Sequence, residues 1–285
     1  MKNIKHIIEY ILFIIIFSIF RLLPINLVSI IGSNIFRLLG RYSKSNTIAL
    51  SNIKKSLPNI KNKELKKNID ASWSNIGKTF SELSILPKIA KKRLEIKGLD
   101  NIKKTINKNK QIIFFGIHQA NWEVIVPALD KIGLNVVAIY RHINNPLIDK
   151  YILNKRISSI KNKNIQFSPK GKKSAKDMIN AINNNKSIVL LIDQKDNTGK
   201  KTIFFNQNVK TQTGFLKIAL KYKLELVPIQ VKRKNINNLS VIFHKPFNKN
   251  YLNDEILLMN KINSLIEKWI KEKPDQWLWQ HNRFN

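Results

Sequence analysis

The chain has 285 residues, enough for one large or two small domains with an ample core. It contains no cysteine, which excludes disulfides, thiolate catalysis and cysteine-ligated metal sites, and its five histidines are scattered without ligand spacing, so neither a metal nor a cofactor is expected. Fifty-one Lys and Arg against eighteen Asp and Glu give a formal charge of +33, which favours polyanionic partners: nucleic acid, anionic lipid or an acidic protein.

The N-terminus places Lys2 and Lys5 ahead of an apolar run, Ile7 to Leu23. Its charge-free core, Tyr10 to Phe20, is shorter than the about 20 residues that cross a hydrocarbon layer. With Glu9 and Arg21 snorkelling, the run approaches the lower limit of about 17. No small-residue cleavage site follows, so residues 1–24 are expected to be a membrane anchor rather than a signal peptide, with a buried globular helix as the rival reading. Arg21, Arg37, Arg41 and Lys44 follow the run, and the positive-inside rule leans towards a cytoplasmic body, residues 25–285, expected to stay folded without the anchor.

Leu27 to Leu39 reads as a second apolar helix ending near Gly40. Ser45 to Leu57 is a polar-faced helix stopped by Pro58, and Lys63 to Phe80 is another, with Ala71, Trp73, Ile76 and Phe80 at its apolar positions. From Gln111, strand-like and helix-like runs alternate: Gln111 to Phe115, Trp122 to Lys131, Asn135 to Tyr140, Pro146 to Ile160, Ile165 to Phe167, Ser174 to Asn184, Ser187 to Ile192, Thr213 to Tyr222 and Leu226 to Val231. This predicts an α/β fold, a mainly parallel sheet flanked by helices. Leu239 to Phe243 adds a strand towards an edge, and Asp254 to Lys271 a closing amphipathic helix ended by Pro274. No internal repeat is visible, which argues against a solenoid.

The junction Gly116-Ile117-His118-Gln119-Ala120-Asn121-Trp122-Glu123 follows a buried strand and opens a helix, a place where open α/β sheets bind ligands. Residues five apart are about 140° off one face of a helix, so His118 and Glu123 meet only if His118 lies in the turn and Asn121 caps a helix carrying Glu123 in its first turn. A carboxylate on one imidazole nitrogen leaves the other as a base. A packed histidine and a solvated glutamate are the alternative. Arg141 follows the next strand and is expected at the same edge, gripping a phosphate or carboxylate, or else paired with Asp149. Arg156 lies on the helix after it. The strand Ile188 to Ile192 ends in Asp193-Gln194, where a carboxylate can orient a ligand or another side chain, or cap a loop. Thr198 to Lys201 reads as a glycine-containing loop, and Thr211 to Gly214 as the entry to a helix. No GxGxxG, Walker loop or Gly-x-Ser-x-Gly elbow is present.

With these blocks in place, the chain resembles the bacterial lipid A biosynthesis acyltransferases, the late lauroyl and myristoyl transferases. The likeness is carried by His118-x4-Glu123, by Tyr140-Arg141 through Asn145-Pro146-Leu147-Ile148-Asp149, by Asp193-Gln194, by Phe204-Phe205, by Thr211-x-Thr213-Gly214 and by the ending Pro274 to Phe284. Asn206 and Asn282 depart from residues common in the family. The resemblance implies a glycerolipid-acyltransferase-like fold and transfer of a fatty acyl chain from acyl carrier protein to a hydroxyl of a lipid A precursor, at the cytoplasmic face of the bacterial inner membrane. It implies His118 as general base oriented by Glu123, with Arg141, Asn145, Arg156, Asp193 and Gln194 expected at the substrate. A basic surface suits an acidic carrier protein and anionic inner-membrane lipid. Acylation of another membrane lipid, a glycerophospholipid or aminolipid, fits the same motif. Nucleic acid is not expected, because the aromatic residues fall mostly in apolar strands and helices rather than among surface cations.

Overall fold

The computed structural model describes residues 2–108, 110–247 and 254–284. The chain opens with five helices: α1 (Lys2–Leu22), α2 (Ile25–Gly40), α3 (Lys44–Ser56), α4 (Asn62–Leu83) and α5 (Leu86–Lys92). Then come β1 (Leu94–Lys97), α6 (Asp100–Asn107), β2 (Ile112–Gly116), α7 (Ile125–Lys131), β3 (Val136–Tyr140), α8 (Pro146–Ile157), β4 (Gln166–Pro169), α9 (Lys172–Asn183) and β5 (Ser187–Leu191). A hairpin of β6 (Lys195–Phe204) and β7 (Gln207–Thr211) precedes α10 (Gly214–Tyr222), β8 (Glu225–Asn235), β9 (Asn238–Phe243) and α11 (Glu255–Glu272).

Seven strands form one sheet in the order β1-β9-β8-β2-β5-β3-β4. Every pairing in it is parallel except β8 with β9, as the alternation of strands and helices predicts. Period-two side chains divide the core: Ile113, Phe115, Ile188 and Leu190 point to one face, Ile112, Phe114 and Val189 to the other. The first face is covered by α3, α4, α9, α10, α11 and the C-terminal segment, the second by α1, α5, α6, α7 and α8. Because β2 is buried on both faces, its sequence is continuously apolar rather than alternating.

Leu239 to Phe243 does lie towards an edge, one strand in from it and paired with β1. Three expectations are corrected. The stretch before Gln111 holds α5, β1 and α6. The glycine-containing segment at Thr198 to Lys201 is part of β6, whose register shifts between Lys195 and Lys200, and that irregularity hides the strand pattern. The helix expected from Trp122 begins as a 3-10 turn, Trp122–Val124, before α7.

α1 is long and apolar enough to cross a membrane by length and composition. It is also stitched to the body. Phe13, Phe17 and Phe20 are buried, with Phe13 and Phe17 in edge-on contact with Phe80 of α4 and Tyr151 of α8. Its opposite side exposes aliphatic residues along its whole length. Behind it, α2 crosses α4 where Gly32 faces Gly77 so closely that a methyl group on either would overlap the other's backbone.

Candidate active site

Strand register assembles the centre. In the parallel pair β2 and β5, Gly116 stands opposite Leu191, so the residues two further along, His118 and Asp193, leave the carboxyl edge side by side. Nδ1 of His118 lies 2.7 Å from Oδ1 of Asp193. Oδ2 of the same carboxylate accepts from the His118 backbone N–H at 3.0 Å and from Nε1 of Trp277 at 2.7 Å. The side chains are 16% and 3% exposed respectively. Burial alone would raise the Asp193 pKa, but the neighbouring His118 ring and these hydrogen bonds outweigh it and hold the group below its ordinary value. An ionised carboxylate only accepts, so the ring proton sits on Nδ1 and Nε2 keeps its lone pair. Trp122 packs edge-on against the ring with centroids 5.1 Å apart.

Nε2 opens on a cavity of about 160 Å3 between α7 and the sheet. Its walls are apolar, from Ile125, Val126, Pro127, Ala138, Phe167 and Val189, while Glu123, Arg141, Arg156 and Gln194 stand among its lining residues. That combination of an apolar chamber with a few polar groups near its reactive end suits a ligand with a long hydrocarbon part.

The structure brings together most of the expected residues but assigns the partners differently. Glu123 does not hold His118. Asn121 does cap the turn, accepting from the Glu123 N–H at 3.2 Å, yet the carboxylate turns to α8, where Arg156 grips it through Nε–Oε2 and Nη2–Oε1, both 2.8 Å. A planar, permanently charged guanidinium matches both carboxylate oxygens at once, and the one Nδ1 of His118 is already taken by Asp193. Burial pushes the Glu123 pKa up and the Arg156 charge pulls it down further, leaving it net lowered. Nη1 of Arg156 is buried without a partner among the described residues. Asp193, expected at the substrate, uses both oxygens on protein donors and serves to orient the imidazole.

Gln194 stands with Nε2 3.5 Å from His118 Nε2, and its Oε1 accepts from Arg141 Nη1 at 3.3 Å. Arg141 is exposed and not paired with Asp149, whose oxygens go to His142 Nδ1 at 2.6 Å and to the Ile143 N–H at 2.9 Å. Asn145 is corrected too: it caps α8, accepting from the N–H groups of Leu147 and Ile148, and donates to the His6 carbonyl and to Glu9 of α1. A side chain so occupied has nothing left for substrate.

Two supports lay outside the sequence reading. The first is the C-terminal segment, which returns to the centre: Leu278 N–H donates to the His118 carbonyl, Ala120 N–H to the Gln276 carbonyl, and Asn52 of α3 to the carbonyls of Trp279 and His281. His281 Nε2 accepts from the Lys195 N–H at 3.0 Å, and burial with the nearby His118 and Arg141 charges lowers its pKa to about 4 despite the opposing pull of Asp193. The second is Glu82, fully buried on α4, which takes Arg233 in two bonds of 2.9 and 2.7 Å, Arg93, Ser29 and Asn121. Arg233 lies between Lys232 and Lys234 in β8, so its buried pairing with Glu82 carried no sequence signal of its own.

The pattern of a family described as bacterial lipid A biosynthesis acyltransferase matches residues 1–285. The lipid A biosynthesis palmitoleoyltransferase of Escherichia coli (strain K12) is 24% identical over 247 residues, 84% of this chain and 78% of that protein. The lipid A biosynthesis lauroyltransferase of the same organism is 24% identical over 274 residues, 92% of this chain and 86% of its own. Among solved structures, the 1-acyl-sn-glycerophosphate acyltransferase PlsC of Thermotoga maritima is similar with a TM-score of 0.40 and 14% identity, covering 86% of this chain and 99% of that one. Matched along its whole length, the chain belongs to the bacterial lipid A biosynthesis acyltransferases and is an acyltransferase of that process.

Proposed function

We propose that the enzyme moves a fatty acyl chain from the thioester of acyl carrier protein to a hydroxyl of a lipid A precursor at the cytoplasmic face of the inner membrane, with His118 as general base. The observation that carries this reading is an imidazole held at Nδ1 by Asp193, with its Nε2 lone pair beside the Gln194 amide at the mouth of an apolar cavity. The acceptor oxygen gives its proton to Nε2 as it attacks the thioester carbonyl carbon, and the carbonyl electron pair moves to oxygen. When the tetrahedral intermediate collapses, the carbon–sulfur bond breaks and the departing thiolate takes the proton from the imidazolium. The acyl chain lies along Ile125, Val126, Ala138 and Val189. Arg156, its Nη1 free and its position fixed by Glu123, supplies a donor for developing negative charge or a phosphate, and Arg141 and Gln194 act at the rim.

The surface suits the partners: a +33 chain attracts an acidic carrier protein and anionic lipid, and α1 keeps the site at the bilayer. His118→Ala should reduce acyl transfer by about 100- to 10,000-fold with the melting temperature nearly unchanged. Near-normal transfer by purified His118→Ala would end the mechanism.

A further inference from the structure

α1 lies against the body along its length, tied by Asn145 near its start and by Phe13, Phe17 and Phe20 further on. Ile4, Ile8, Ile11, Ile15, Ile19 and Leu22 fall on the opposite side at helical spacing and are exposed. Such a helix seats its outer arc in the bilayer surface with its flanks at headgroup depth.

On one flank, where α1 ends, a cavity of about 540 Å3 opens between α1, α5 and α8. Leu22, Ile85 and Pro87 give it apolar walls, and Arg21, Lys88 and Lys155 surround it. No carboxylate lines it, and none of the three cations forms an ion pair among the described residues. Lys88 Nζ donates to the Arg21 carbonyl at 3.4 Å, which uses one of its three hydrogens, and Lys155 Nζ rests 5.2 Å from the centre of the Tyr151 ring. Arg21 and Lys155 line the same cavity, and partial burial, and then the charge of Arg21, lowers the Lys155 pKa. A helix cap explains Lys88 alone. It leaves Arg21 and Lys155 unexplained.

We propose that this cavity binds the phosphate of an anionic membrane lipid, one acyl chain of which continues along Leu22, Ile85 and Pro87. The site is separate from the catalytic cavity and rests on the reading of α1 as the membrane-seated element. Three phosphate-facing cations at the membrane surface, each contributing about fivefold, give roughly 100-fold in affinity.

The test is native mass spectrometry of the full-length protein in a neutral detergent, titrated with phosphatidylglycerol or with diacylglycerol of the same chains. The parent should retain phosphatidylglycerol and not diacylglycerol. Retention should weaken about fivefold in each of Arg21→Gln, Lys88→Gln and Lys155→Gln, and roughly 100-fold in the triple variant. Lys217→Gln/Lys221→Gln/Lys268→Gln removes the same charge from the opposite layer and should leave retention unchanged. Equal weakening by that control would reduce the effect to diffuse charge and overturn the site. So would displacement of the lipid by low concentrations of inorganic phosphate, which would make it a free-phosphate site. His118→Ala should lose transfer yet retain the lipid, so a failure of the acyl-transfer reading and a failure of this one are seen separately.

Discussion

Asp193 accepts from the ring and backbone of His118 and from the Trp277 indole, so a change there acts on the base rather than on substrate. Asp193→Asn turns an amide NH2 towards Nδ1–H or forces the other tautomer, which puts the proton on Nε2. Transfer should fall by about 100- to 10,000-fold, read as kcat with KM little changed. Glu123→Gln has a different signature. It leaves the Arg156 guanidinium without its countercharge in a largely buried pair, and should destabilise the fold by about 3–5 kcal/mol in a denaturant titration. A variant as stable as the parent would show that the pair does not hold α8 in place. His118, Glu123, Arg156 and Asp193 were all legible as candidates from their places at strand ends and on helices. Which carboxylate takes Nδ1 was not, because that depends on β2 and β5 being neighbours in the sheet, and strand order is a tertiary fact that no local spacing encodes.

The elements with strong periodicity or a continuous apolar run were readable: α2, α3, α4, β2, β5, α11 and the crossover helices all lie where the pattern puts them, within a few residues. Those missed are short or irregular. β1 has four residues of alternating exposure, and β6 carries a glycine and a register shift within a polar run. The C-terminal segment has only a 3-10 turn, Pro274–Gln276, and a single bridge between Trp277 and Gln119, and its other hydrogen bonds go to side chains and carbonyls on distant elements. Its His281 gives a pH test. The folded chain keeps this imidazole neutral down to about 4 while the unfolded chain protonates near 6.5, so its contribution to stability is full above 6.5 and is lost as pH falls towards 4. His281→Gln, whose amide oxygen can still accept from the Lys195 N–H, should flatten the dependence of melting temperature on pH in that window. Parallel curves for the two proteins would mean that the group titrates normally in the fold.

For the molecule as a whole, the division into an anchor and an independent body is too simple. α1 contributes three buried phenylalanines at about 1.5–3 kcal/mol each, and a domain of this kind is stable by only about 5–15 kcal/mol. Deleting residues 1–24 uncovers Phe80 and Tyr151 and leaves Asn145 without His6 and Glu9. The truncated protein should melt many degrees lower and aggregate on size-exclusion chromatography, even in detergent. A monomer with the parent's melting temperature would restore the simpler division. The helix could be read from its apolar run, but its attachment could not, because the phenylalanines that bind it to the body lie within the same apolar run as the exposed aliphatic residues.

The return of the C-terminal segment to His118 and Asp193 also sets an order of events during synthesis. The segment from Trp277 onward leaves the ribosome after the rest of the centre, tens of seconds after α1 at roughly 5–20 residues per second. A nascent chain can therefore pack its first helix against α4 and α8 while Asp193 still lacks the indole donor and the His118 carbonyl still lacks the Leu278 N–H. Packing of the first helix comes first and chemical competence last, so an unfinished chain is largely assembled and still inert.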